Sequence, residues 1–97
     1  MHTNPEFRDG ALVFRALGNE RRLYILSLLR RGSMTGDTLT RMLCIHPAST
    51  SKHLHRMLRA RLITSRRSGR CVRFSLARAV KNHKELQRFL LECFPGS

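Results

Sequence analysis

Acidic residues are scarce in this chain. It holds six against 19 lysines and arginines, a formal net charge of +13. Between residues 38 and 84 there is no Asp or Glu at all, while twelve Lys or Arg fall there. A block so one-sided favours a polyanionic partner and removes the paired carboxylates that acid–base hydrolysis needs. The cysteines number three, Cys44, Cys71 and Cys93, with no CxxC among them. Neither a disulfide framework nor a zinc knuckle is indicated. Tryptophan is absent, and 97 residues bury only a thin single-domain core over 1–97, which docking to a second copy would reinforce. No window is apolar enough to span a membrane, and MHTNPEFRDG lacks the apolar run of a signal peptide. A cytoplasmic protein with reduced thiols and no membrane partner is expected.

Catalytic patterns are missing too. There is no Ser-His-Asp spacing and no Gly-rich phosphate loop, and the five histidines (2, 46, 53, 55 and 83) do not form a ligand set. His53 and His55 fall on different faces of one helix, which argues against chelation. The expectation is no enzyme, no metal and no cofactor.

The apolar residues that are present are periodic. Asn4-Pro5-Glu6 reads as a helix start, followed by Phe7, Ala11, Phe14 and Leu17 at helical steps and a stop at Gly18. Asn19 caps the next helix, with Leu23, Leu26 and Leu29 as its stripe before Gly32. Thr35 or Asp37 opens a short third helix through Leu39, Met42 and Leu43, and Cys44-Ile45 makes a tight corner. Pro47 then suits the first turn of a fourth helix that runs to about Arg59, with His46 as an atypical cap. Two short helices joined by so brief a turn form a helix-turn-helix. After Leu62 the period changes to 2. Ile63 to Arg66 alternates, Ser68-Gly69 supplies a turn, and Cys71 to Leu76 alternates again. A last helix from about Arg78 carries Val80, Leu86, Phe89, Leu90 and Phe94. The predicted class is mainly α with a small β-hairpin: four helices, two strands and a final helix, the layout of a winged helix-turn-helix.

In the fourth helix Thr50, Leu54, Met57 and Leu58 share one face and should pack inward. Ala48, Lys52, His55, Arg56 and Arg59 project to the far face, with Ser49 and Ser51 beside them. The N-terminal half of such a helix enters the major groove of DNA. Small Ala48, Ser49 and Ser51 would allow close approach, and Lys52 and Arg56 could reach guanine or the backbone. The bland alternative makes the serines ordinary cap residues and the charges a solvated face. His53 fits a hydrogen bond to a neighbouring helix as well as a phosphate contact. The hairpin carries Arg66, Arg67 and Arg70 around its tip, suited to an adjacent minor groove or to phosphates. Arg73 alternates outward, where solvation alone would account for it.

The segments FRALGNERRLYILSLLRRG (14–32), LTRMLCIHPASTSKHLHRMLRARLI (39–63) and RRSGRCVRFSL (66–76) carry a resemblance to the arsenic-repressor (ArsR/SmtB) family of bacterial winged-helix repressors. The likeness is dense over residues 12–76 and reaches the last helix only by position. It implies a homodimer paired through its first and last helices, bound to an inverted-repeat operator in double-stranded DNA, and it points at positions 48, 51 and 52. Relatives commonly sense metals. The third-helix positions for paired cysteines here read Met34-Thr35-Gly36, and the last helix has only His83, Glu85 and Glu92, so both common metal sites look lost. The effector is then unknown. Cys44 and Cys71 read as packed thiols, and Cys93, near the implied dimer helices, is the candidate for a redox switch. The competing class is a basic nucleoid-type or RNA-binding winged helix without effector control.

Overall fold

The structure is a computed structural model and describes residues 19–95. The helix expected to start at Asn4-Pro5-Glu6 and end at Gly18 lies outside the described residues, as does any pairing through it.

Helix α1, Glu20–Leu29, starts where Asn19 places its Oδ1 to accept the backbone N–H groups of Arg21 (2.9 Å) and Arg22 (3.2 Å). Glu20 adds an acid to the positive end of the helix. Its C-terminal half is wrapped on nearly every side: Ile25, Leu26, Leu28 and Leu29 are all buried. Burial on nearly every side makes this half of α1 interior, and α3, α5 and β3 pack against the helix.

Strand β1, Met34–Thr35, was not expected, because two residues carry no alternation to read. Thr35 is also the cap of helix α2, Gly36–Leu43, its Oγ1 accepting the Thr38 N–H at 3.2 Å. Helix α2 ends at Cys44 in the left-handed region (φ 55°), with the Cys44 N–H bonded to the carbonyls of Thr40 and Arg41. Helix α3, Pro47–Arg59, follows, and the His46 Nδ1 accepts the Ala48 N–H at 3.1 Å, so the atypical cap functions. Pro47 needs no partner for its missing N–H at this position. At the far end Arg61 takes φ 60°, while the N–H groups of Leu62 and Arg61 return to the carbonyls of Met57 and Leu58. That six-to-one and five-to-two pair is a Schellman stop.

The chain then enters strands β2, Ile63–Ser68, and β3, Cys71–Leu76, paired antiparallel from Ile63↔Leu76 to Ser68↔Cys71. The turn residues are therefore Gly69-Arg70, not Ser68-Gly69. Gly69 at φ 63° occupies the first central position, where a II′-type hairpin turn requires a glycine. β1 pairs with β3, giving a three-stranded sheet in the order β1-β3-β2.

The single last helix expected from Arg78 is two helices, α4 (Arg78–Lys81) and α5 (Lys84–Cys93). His83 leaves the helical region (ψ 97°) and its Nδ1 accepts the Leu86 N–H at 3.1 Å, so an imidazole starts the second piece. Gln87 locks the arrangement: its amide donates to the Val80 carbonyl at 2.8 Å and its oxygen accepts from Arg30 Nε. The core gathers Leu26 and Leu29 of α1, Leu39 of α2, Leu54 and Met57 of α3, Ile63 and Leu76 of the sheet, and Leu90 of α5. Truncating any of these to Ala should cost about 2–5 kcal/mol.

Candidate nucleic-acid interface

The inward face of α3 is made by Thr50, Leu54 and Met57, all buried, with Leu58 half-buried. Thr50, at 2% exposure, accepts a hydrogen bond from Thr40 Oγ1 at 2.9 Å, which fixes α3 against α2. Among the described residues, the opposite face is open. Ala48, Ser51, Lys52, His55, Arg56 and Arg59 are exposed, and Ser49 is half-buried at the edge. Six of the seven groove-side positions read from sequence therefore share one open helix surface, and the seventh borders it.

All of Thr64 to Arg73 is exposed, and beyond the pairing of Arg73 with Thr35 of β1 the hairpin projects from the body. Arg66 is paired with Arg73 and Arg67 with Val72, and side chains alternate along a strand. Arg66 and Arg67 thus point to opposite faces of the hairpin, and Arg70 lies in the turn between the strands. The three arginines are one group along the chain but three directions in space.

Arg73 is not merely solvated. Its Nε donates to Ser33 Oγ and its Nη2 to the Ser33 carbonyl, both at 2.9 Å. Sequence alternation gave its direction but no partner, since Ser33 lies 40 positions away.

His53 is half-buried and its Nδ1, shielded from solvent, has no hydrogen-bond partner among the described residues. Of its two readings from sequence, a hydrogen bond to a neighbouring helix or a phosphate contact, the first is not made among the described residues. Burial, and then the positive charges of Arg22, Arg21 and Arg56, hold its pKa below the usual histidine value. Arg22 is itself buried, and desolvation followed by Arg56 lowers its pKa. The first turn of α1 and the middle of α3 thus form one basic junction, which residue types alone did not reveal.

The cysteines are free and exposed, so Cys44 and Cys71 are not the packed thiols expected. Cys44 is exposed because it is the left-handed corner residue, and Cys71 because it stands on the projecting hairpin. Cys93 is the last residue of α5. Among the described residues no three His, Cys, Asp or Glu side chains are grouped to hold a metal ion. No helix among them is long and apolar enough to cross a membrane.

Residues 19–65, from the α1 cap into β2, match the model of the bacterial regulatory proteins of the arsR family. Over those residues the chain is similar to an ArsR-family domain. Its match stops inside β2, so the tip of the wing and α5 lie beyond it. Among solved structures, HlyU from Vibrio cholerae N16961 is 27% identical with a TM-score of 0.78, covering 95% of this chain and 100% of HlyU. An ArsR-like transcriptional regulator from Rhodococcus sp. RHA1 is 29% identical with a TM-score of 0.72, covering 95% and 86% of the two chains. The homodimeric winged helix-turn-helix DNA-binding domain of Mb0332 from Mycobacterium bovis shares the fold at 22% identity and a TM-score of 0.74, covering 96% of this chain and 84% of that domain. A comparison with curated protein sequences found no match. The ArsR-family domain and its structural neighbours belong to transcriptional regulators, not to enzymes.

Proposed function

We propose that this chain is a sequence-specific DNA-binding transcriptional regulator: a cytoplasmic homodimeric repressor that occupies an inverted-repeat operator. The observation that carries the reading is the open face of α3, pinned by Thr40 and Thr50 beside an arginine-bearing hairpin, within a block that has no acid. In this account α3 lies in the major groove. Ala48, Ser49 and Ser51 permit close approach, while Lys52, His55 and Arg56 reach base edges or phosphates. Arg66, Arg67 and Arg70 meet the minor groove or the backbone. The ArsR-family match supports regulation, and the homodimer described for Mb0332 supports a two-fold protein on a two-fold site. Phe89 and Leu91 on α5, 45% and 46% exposed, supply apolar surface of the kind a dimer covers.

Fluorescence anisotropy of a labelled duplex across a salt series tests this. If each protomer neutralises roughly three to five phosphates, log affinity against log salt falls with a slope of about −5 to −9. Equal affinity for duplex, single-stranded DNA and RNA would contradict it. The second reading, a basic winged helix that coats nucleic acid regardless of sequence, rests on the net charge of +13 and shares the slope. It differs in giving every duplex the same affinity.

A further inference from the structure

On the outward face of the sheet, Thr35, Arg73 and Arg66 stand at one level across the three strands, from the pairings Thr35↔Arg73 and Arg66↔Arg73. Directly opposed residues place their Cβ atoms about 4.5–5.5 Å apart, and like charges so placed repel. The obvious relief, an acid between them, is lacking. Asp37, the acid nearest Thr35 in the chain, makes no ion pair with either arginine, and Arg66 has no hydrogen-bond or ion-pair partner among the described residues.

Arg73 nonetheless does not swing away into solvent. Two 2.9 Å bonds to the side chain and carbonyl of Ser33 hold its guanidinium plane. A guanidinium offers five N–H donors, and two bonds to Ser33 leave about three unspent. Thr35 takes none of them: its hydroxyl donates to Thr38 Oγ1 and accepts the Thr38 N–H. The result is a fixed cation with free donors beside a second, unpartnered cation.

We propose that Arg73 and Arg66 together form a phosphodiester-binding site at the base of the wing, with Ser33 as the residue that presets Arg73. The proposal rests on the reading of the chain as a duplex-DNA binder and adds Arg73, preset by Ser33, to the contact which that reading gives Arg66. A backbone phosphate between the two guanidinium groups removes their repulsion and accepts charge-assisted hydrogen bonds from both. Because Arg73 is already ordered, less side-chain entropy is lost when the phosphate arrives.

A backbone contact is indifferent to sequence, so the probe is a labelled random-sequence 30-base-pair duplex titrated with the full chain across a salt series. Arg73→Gln should make the log–log salt slope shallower by about 0.9 per protomer. Ser33→Ala keeps the charge, so the slope should stay at the wild-type value while affinity falls about threefold to tenfold. Arg73→Lys, which keeps the charge but cannot reproduce the fork, should behave like Ser33→Ala. Circular dichroism melts identify any variant that misfolds. If Arg73→Gln is such a variant, Ser33→Ala decides, and unchanged affinity there overturns the site. A folded Arg73→Gln with wild-type slope also overturns it and leaves Arg73 as a tie between sheet and turn. Failure of the wild-type chain to bind the duplex at all would instead sink the functional reading, and the site with it.

Discussion

Thr40 donates its hydroxyl to that of Thr50 across the corner between α2 and α3, at 2.9 Å and with Thr50 fully packed. This bond sets the angle at which the exposed face of α3 is presented. Thr50→Val keeps the shape and removes the acceptor, which should cost about 1 kcal/mol, as a half-buried hydroxyl loses its partner. The double variant Thr40→Val/Thr50→Val should recover part of that loss. Urea denaturation of the four-member cycle measures the coupling, and strict additivity would mean that the bond carries no energy.

Lys52 and Arg67 should differ in kind. Lys52 sits on the exposed face of α3. With that face in the major groove, as proposed, Lys52→Gln should change which base is preferred at one position of each half-site. Arg67 stands on the projecting hairpin, and Arg67→Gln should weaken all duplexes alike and flatten the salt slope by about 0.9 per protomer. Affinities on a panel of single-base variants of a bound site separate the two effects.

His53 makes stability depend on pH in a defined direction. Burial, followed by Arg22, Arg21 and Arg56, depresses its folded pKa below the ordinary 6.5. As pH falls below that value the unfolded chain takes up a proton that the folded chain still refuses. Stability is therefore intact above the ordinary value and is lost as pH falls from there through the folded pKa. His53→Gln should flatten this part of the stability profile relative to wild type. Identical profiles from urea denaturation at stepped pH would contradict it.

All three cysteines should react with a thiol reagent in the native protein, since each side chain is exposed. Slow labelling that speeds up only in denaturant would mean they are covered. An oxidant that releases DNA from wild type and not from Cys93→Ser would assign a redox switch to that thiol, and equal sensitivity would remove the assignment.

Much of this arrangement was legible in the residues. Asn19, Thr35 and Pro47 start helices because their side chains satisfy, or their lack of an N–H avoids, the orphan donors of a first turn, and that is local chemistry. The exposed face of α3 follows from a 100° projection because Thr50, Leu54 and Met57 make a clean buried stripe. What failed was non-local or lacked a marker. The break between α4 and α5 is made by His83 turning its ring onto Leu86, with no Gly or Pro to announce it. β1 is two residues long, and only its pairing with β3 makes it a strand. The anchor of Arg73, Ser33, is distant in sequence, and the junction of His53 with Arg21, Arg22 and Arg56 spans two helices. Pattern reading locates faces, whereas contacts between faces need the fold.

In vitro selection of bound duplexes from a random pool tests the central claim most directly. The account predicts enrichment of an inverted repeat whose half-sites are separated by about one helical turn, bound at least about a thousandfold more tightly than the starting pool. A pool that stays random through successive rounds while still being retained would contradict it, and would make the chain a basic winged helix that binds without reading sequence.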